Sequence, residues 1–147
     1  MTIGGNSPDQ SNYYNFPNRT SPGLGSVGSY QVAGVPFITG SSLASGGEME
    51  ISFVGVTKEI TLIPFSSSGG PLTLSFASTA SGDVVAGRHM IPWPEENTAS
   101  AVTLDVKCGK VFVQNVGGQA TDFSLYASMT GISPSQMWVL TGSGITD

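Results

Sequence analysis

The chain is predicted to be all-β: an antiparallel β-sandwich, immunoglobulin-like or jelly roll, behind an extended N-terminal arm. Three observations predict it. Apolar and polar residues alternate with period two in segment after segment from Glu48 onward. Clusters of turn-forming residues separate these segments at intervals of roughly 8–12 residues. The first 47 residues, by contrast, carry only two charged side chains, Asp9 and Arg19, among many Gly, Ser, Asn and Pro.

The arm, 1–47, is too poor in apolar side chains to build a core and too neutral to behave as an ordinary solvated tail. It is expected to gain order by packing on neighbouring protein. Tyr13, Tyr14, Phe16, Tyr30 and Phe37 are its candidate partner-binding groups, because they alone bring large apolar area at low entropic cost. Ser29–Gly40 has enough β-formers for one or two short extended pieces, which Pro36 confines to an edge.

The domain proper spans 48–130. Met49, Ile51 and Phe53 alternate with Glu48, Glu50 and Ser52. The same pattern recurs at Ile60 and Leu62, at Leu72, Leu74 and Phe76, at Val102, Leu104 and Val106, and at Phe123, Leu125, Ala127 and Met129. Alternation of this kind is the signature of a strand with one face on a core. Shorter apolar runs at Arg88–Trp93, Val111–Gln114 and Met137–Leu140 give three more candidate strands. Ser66–Pro71, Ser81-Gly82-Asp83, Glu95-Glu96-Asn97, Cys108-Gly109 and Gly117-Gly118 supply the turns. No segment combines helical spacing with a cap. Residues 131–147 read as a C-terminal strand and tail of the same domain, in which Ser133–Gln136 makes a single turn. Trp138 either plugs one end of the sandwich or anchors a subunit boundary, as exposed tryptophans do at binding hot spots.

Composition narrows the function classes. Of 147 residues only 10% are charged, and the net charge is −5. The five cationic residues, Arg19, Lys58, Arg88, Lys107 and Lys110, are too scattered for a nucleic-acid footprint. No apolar run approaches the ~20 residues of a membrane helix. The first residues lack the basic and apolar regions of a signal peptide, so synthesis in a cytoplasm is expected. Cys108 is the lone cysteine, which rules out an intrachain disulfide and reads as a small buried side chain.

Chemistry is sparse. One histidine, His89, and one cysteine cannot make a cluster-type zinc site. No Gly-x-Ser-x-Gly elbow accompanies His89. Glu95 and Glu96 lack the ladder of oxygen ligands that calcium requires, and no glycine-rich stretch leads into the Lys-Ser/Thr of a phosphate loop. The expectation is therefore a protein with no catalytic residues, no cofactor and no metal.

The arm segment Ser29-Tyr30-Gln31-Val32 with Pro36–Ser41, the run of short strands, and the uncharged ending Leu140–Thr146 together resemble small structural proteins of virions. The resemblance is to decoration (cement) and minor capsid proteins of tailed bacteriophages or similar double-stranded DNA viruses. It implies a non-enzymatic virion protein that binds and stabilises the capsid shell. Its implied partners are the major capsid protein or other virion subunits and further copies of itself, plausibly as a trimer, with neither nucleic acid nor membrane. Two other readings stay open: a tail, neck or baseplate component, and a carbohydrate-binding or adhesin-type sandwich using Trp93, Trp138 and the tyrosines as a sugar platform.

Overall fold

A computed structural model describes residues 23–64, 71–81, 89–93, 100–138, 140–141 and 144–145. Its described elements, in chain order, are a short helix α1 (Val27–Gln31) and strands β1 (Val35–Leu43), β2 (Glu48–Ser52), β3 (Thr57–Pro64), β4 (Leu72–Ser75) and β5 (Ile91–Trp93). Then follow β6 (Val102–Leu104), β7 (Lys110–Asn115), β8 (Thr121–Met129), β9 (Leu140–Thr141) and β10 (Gly144–Ile145). Two 3-10 turns, Thr79–Ser81 and Pro134–Gln136, interrupt the loops.

Eight strands form two four-stranded antiparallel sheets around one core, the arrangement a β-sandwich requires. The first sheet runs β1-β8-β3-β6 and the second β2-β7-β4-β5. The pairing is nested: first strand with eighth, second with seventh, third with sixth, fourth with fifth. Consequently each connection from β1 to β8 passes from one sheet to the other, except the β4–β5 link within the second sheet. β9 and β10 make a separate two-stranded pair.

The period-two pattern explains the layers. Ile60 and Leu62, Leu72 and Leu74, Val111 and Val113, and Phe123 and Leu125 point inward and are fully buried, joined by Trp93 and Ile51. Burying one such side chain contributes about 1.5–3 kcal/mol, so truncation of any of them to alanine belongs in the range of about 2–5 kcal/mol. Trp93 is almost fully enclosed, and its indole N–H has no acceptor among the described residues.

The chain crosses between the sheets six times, and among the described residues buried polar side chains hold several of the corners. Asn115 joins the end of β1 to the β7–β8 turn. Thr130 donates to Val56 O at 2.8 Å and accepts from Ile132 N, locking the β2–β3 corner to the chain after β8. Thr57 donates to Val106 O at 2.7 Å and accepts from Cys108 N at 3.1 Å. Gly55 lies so close to this corner that a Cβ there would meet Thr130 O at 2.5 Å. Gly46, at φ 74°, makes the β1–β2 turn in the left-handed region.

Several elements differ from the sequence expectation. Val35–Leu43 was assigned to the arm, yet it is a full nine-residue strand paired to β8 from Val35↔Met129 to Leu43↔Thr121. Its weak formers Thr39-Gly40-Ser41-Ser42 are extended because a long neighbour strand offers every one of them a pairing position. Pro36 is on an edge strand, as its missing N–H dictates. The five-residue α1 was not anticipated; it is too short to show a helical period, and its N-cap Ser26 makes no side-chain cap bond. Of the Arg88–Trp93 run, whose Arg88 lies outside the described residues, Ile91–Trp93 is strand; of Met137–Leu140, whose Val139 likewise lies outside them, Leu140 begins β9.

The chain just before β1 makes hydrogen bonds within its own subunit. Lys58 Nζ donates to Val32 O, and Lys107 Nζ donates to Leu24 O at 2.9 Å. These contacts reach Leu24 and Val32, on either side of α1, so this part of 1–47 packs on the β-domain.

Candidate interaction surfaces

Of the residues singled out for partner binding, Tyr13, Tyr14 and Phe16 lie outside the described residues. Tyr30 sits in α1, half-buried; its hydroxyl donates to Leu24 O at 3.0 Å, and Lys107 Nζ lies 4.4 Å from its ring centroid. Phe37 points inward from β1 and packs edge-on against Phe53, with centroids 5.4 Å apart. Both rings are thus engaged within the subunit. Trp138 does not plug the sandwich: it is 51% exposed. Trp93 is the opposite case, facing the core, and is unable to serve a sugar platform.

Other exposed apolar groups lie on and beside the first sheet. Along β1, inward Phe37, Thr39, Ser41 and Leu43 alternate with outward residues, of which Ile38 is 74% exposed. Ile38 begins a row that continues through Tyr126 on β8, Thr61 on β3 and Thr103 on β6. Thr61 and Thr103 share a hydroxyl hydrogen bond of 2.9 Å. The next row holds Gly40, Ser124 and Ile63. The middle of this outer face is therefore uncharged, with Glu59 and Asp122 only toward its ends. At the start of β1, exposed Val35 and Val54 line a hollow of about 340 Å³ together with Met129 and Ile132. Sequence reading missed Ile38, Val35 and Val54. The available signal was the parity of Ile38 relative to Phe37, which becomes useful only once β1 is known to be a sheet strand.

The outer side of the second sheet is shaped differently. Glu50 on β2 and Lys110 and Phe112 on β7 form the floor of an open groove of about 620 Å³. Phe76–Ser78 with Ser81 make one wall, and Pro134, Met137, Trp138 and Leu140 the other.

Glu48, also on β2, braces the first wall. Its carboxylate accepts from Ser78 Oγ at 2.6 Å, Thr79 N at 3.0 Å and Thr79 Oγ1 at 2.7 Å. Partial burial opposes its charge, but these hydrogen bonds outweigh that and lower its pKa below the ordinary 4.5. A carboxyl with a depressed folded pKa contributes stability that is present above its unfolded pKa and lost as pH falls through the folded value. Glu48→Gln is therefore expected to cost about 1 kcal/mol at pH 7, solvent screening included. The difference from the parent should shrink below pH 4.5, as measured by urea unfolding across that range.

Cys108 is buried and free. Desolvation raises its thiol pKa to about 11, against which a contact of 3.3 Å with Thr57 Oγ1 works only in part. The thiol stays neutral and inert at neutral pH. Iodoacetamide should label it only after denaturant unfolds the chain; rapid labelling of the native protein would contradict this placement. By the same linkage, stability falls as pH rises past 9.0, where the unfolded chain ionises Cys108 first.

His89 is half-buried just before β5, and Glu95 and Glu96 lie outside the described residues. Among the described residues no three His, Cys, Asp or Glu gather where they could hold a metal ion, and no helix is long and apolar enough to cross a membrane.

No family model and no curated protein matches the chain. Solved structures with partial likeness include a de novo designed double-stranded β-helix, at TM-score 0.41 and 10% identity, covering 63% of this chain and 99% of that one. A cupin superfamily protein from Desulfitobacterium hafniense gives TM-score 0.38 and 12% identity over 64% of this chain and 67% of that one. A Bacillus halodurans protein gives 0.39 and 14% over 67% and 66%.

Proposed function

We propose that this chain is a non-enzymatic jelly-roll subunit of a virion, which binds and stabilises the capsid shell by packing the edge and outer face of its first sheet on neighbouring subunits. The jelly-roll reading is supported by the nested strand order, β1-β8-β3-β6 over β2-β7-β4-β5, which is that of two Greek keys folded together. Jelly rolls occur in viral capsid, lectin and cupin domains alike, so the fold does not choose a function by itself.

The observation that carries the choice is β1. Sheet edges in monomeric proteins are blunted by charged side chains, proline, bulges or covering loops. β1 has Pro36 near its start, but from Phe37 to Leu43 it runs without a proline or a charge, and it presents Ile38 and Val35 to solvent. An uncharged edge beside a sheet face that is uncharged at its middle is suited to strand addition or face packing by another subunit. The partners in this reading are other copies of the chain, plausibly three, and the major capsid protein, with assembly after synthesis in a host cytoplasm.

Electron microscopy of material captured from the native source through this chain tests the reading. Particles bearing the chain in hundreds of copies support the shell. A single ring of copies at one vertex favours a tail, neck or baseplate role instead. Capture of the chain with no particles overturns the virion reading.

A further inference from the structure

We propose that the groove on the outer side of the second sheet is a binding site for a neutral carbohydrate of about two or three rings. Its volume, about 620 Å³, lies within the roughly 300–1,000 Å³ of small-molecule sites. The inference is independent of the virion reading and rests on the chemistry of the lining.

Phe112 lies on the outward side of β7, between inward-facing Val111 and Val113, yet only 6% of it is exposed. It is the apolar base of the groove. Lys110 Nζ stands 5.3 Å from its ring centroid and 3.6 Å from Glu50 Oε1. Trp138 forms the opposing wall with half of its surface open to solvent.

Three classes of ligand fit poorly. Among the described residues, Glu50 and Lys110 are the ionisable groups lining the groove, and their charges cancel, so neither an anion nor a cation gains a net attraction from them. An alkyl chain would have to strip water from both without replacing it, which is unfavourable. What fits is a neutral molecule with an apolar face and a hydroxyl edge, which describes a pyranose ring. Aromatic walls take the C–H face, while a carboxylate and an ammonium side by side take adjacent hydroxyls as acceptor and donor.

The Glu50–Lys110 pair is built loosely enough to do so. At 3.6 Å, with side-chain exposures of 52% for Lys110 and 47% for Glu50, it is an ordinary surface pair. Such a pair holds little energy and exchanges partners readily. Ser52 Oγ also donates to Glu50 Oε1 at 2.9 Å, so both contacts fall on one oxygen and Oε2 takes part in neither.

The test uses the full chain and a panel of neutral trisaccharides of glucose, galactose, mannose and N-acetylglucosamine. The readout is the two tryptophan indole N–H signals in nitrogen–proton NMR, with buried Trp93 as internal reference. At least one sugar should shift the Trp138 signal saturably and leave Trp93 in place. Trp138→Ala, read by titration calorimetry because it removes the reporter indole, and, separately, Glu50→Gln should each weaken that sugar at least tenfold with unchanged melting temperature. The second variant keeps the test decisive if the first disturbs the C-terminal segment. No response to any panel member, equal affinity in both variants, or preference for sialylated or sulfated glycans would overturn the proposal.

Discussion

Replacing Asn115 with alanine is expected to remove about 3–4 kcal/mol of stability, a large share of the roughly 5–15 kcal/mol that holds a domain together. Asn115 is fully buried at the end of β7. Its Nδ2 donates to Leu43 O at 2.9 Å and to Gln119 O at 2.7 Å, and its Oδ1 accepts from Gly117 N at 2.9 Å. Leu43 ends β1 in the first sheet, while Asn115 belongs to the second. One amide thus ties two sheets and the β7–β8 turn together. Alanine leaves three backbone groups without that partner, at about 1–3 kcal/mol each when water does not replace it. Aspartate should be nearly as damaging, because a carboxylate accepts from Gly117 N but has nothing to donate to Leu43 or Gln119. Urea midpoints of the parent and the two variants check this. A loss below about 1 kcal/mol would mean that the corner does not depend on the amide.

Replacing Ile38 with lysine should leave folding unchanged and weaken self-association by about a hundredfold. Ile38 is three-quarters exposed on an edge strand, so the isolated subunit loses little. In an assembly packed on this face, the variant must bury an ammonium among Tyr126, Thr61 and their partners. Desolvating it without a counter-charge costs a few kcal/mol, and each 1.4 kcal/mol is about tenfold in affinity. Ala80→Lys, on a 3-10 turn beside the second sheet, is the control and should associate as the parent does. Sedimentation across a concentration series reads both. Equal association of parent and Ile38→Lys would remove this face from the interface.

The core strands β2, β3, β4, β6 and β8 were legible in the sequence because burial on one face imposes period two, while β5 and β7 showed only as short apolar runs. β1 was legible only as a short edge piece. Thr39-Gly40-Ser41-Ser42 has no propensity of its own, and pairing with β8 decides its structure. The corner residues Asn115, Thr57 and Thr130 looked like ordinary turn or strand polars; their hydrogen bonds span 49–74 positions in sequence. The groove was illegible for the same reason: Glu50, Phe76, Phe112 and Trp138 come from four separate segments. Trp138 stood out as an aromatic in an uncharged tail, but only its exposure beside the groove separates a ligand wall from a core plug.

The most direct test of the assembly account is hydrogen exchange at the β1 amides, measured in dilute protein and in the assembled state. Residues 35–43 and the Tyr126 row of β8 should exchange markedly more slowly on assembly, while the β4–β5 edge stays as it was. Unchanged exchange along β1, with protection gained at β5 or nowhere, would contradict the account.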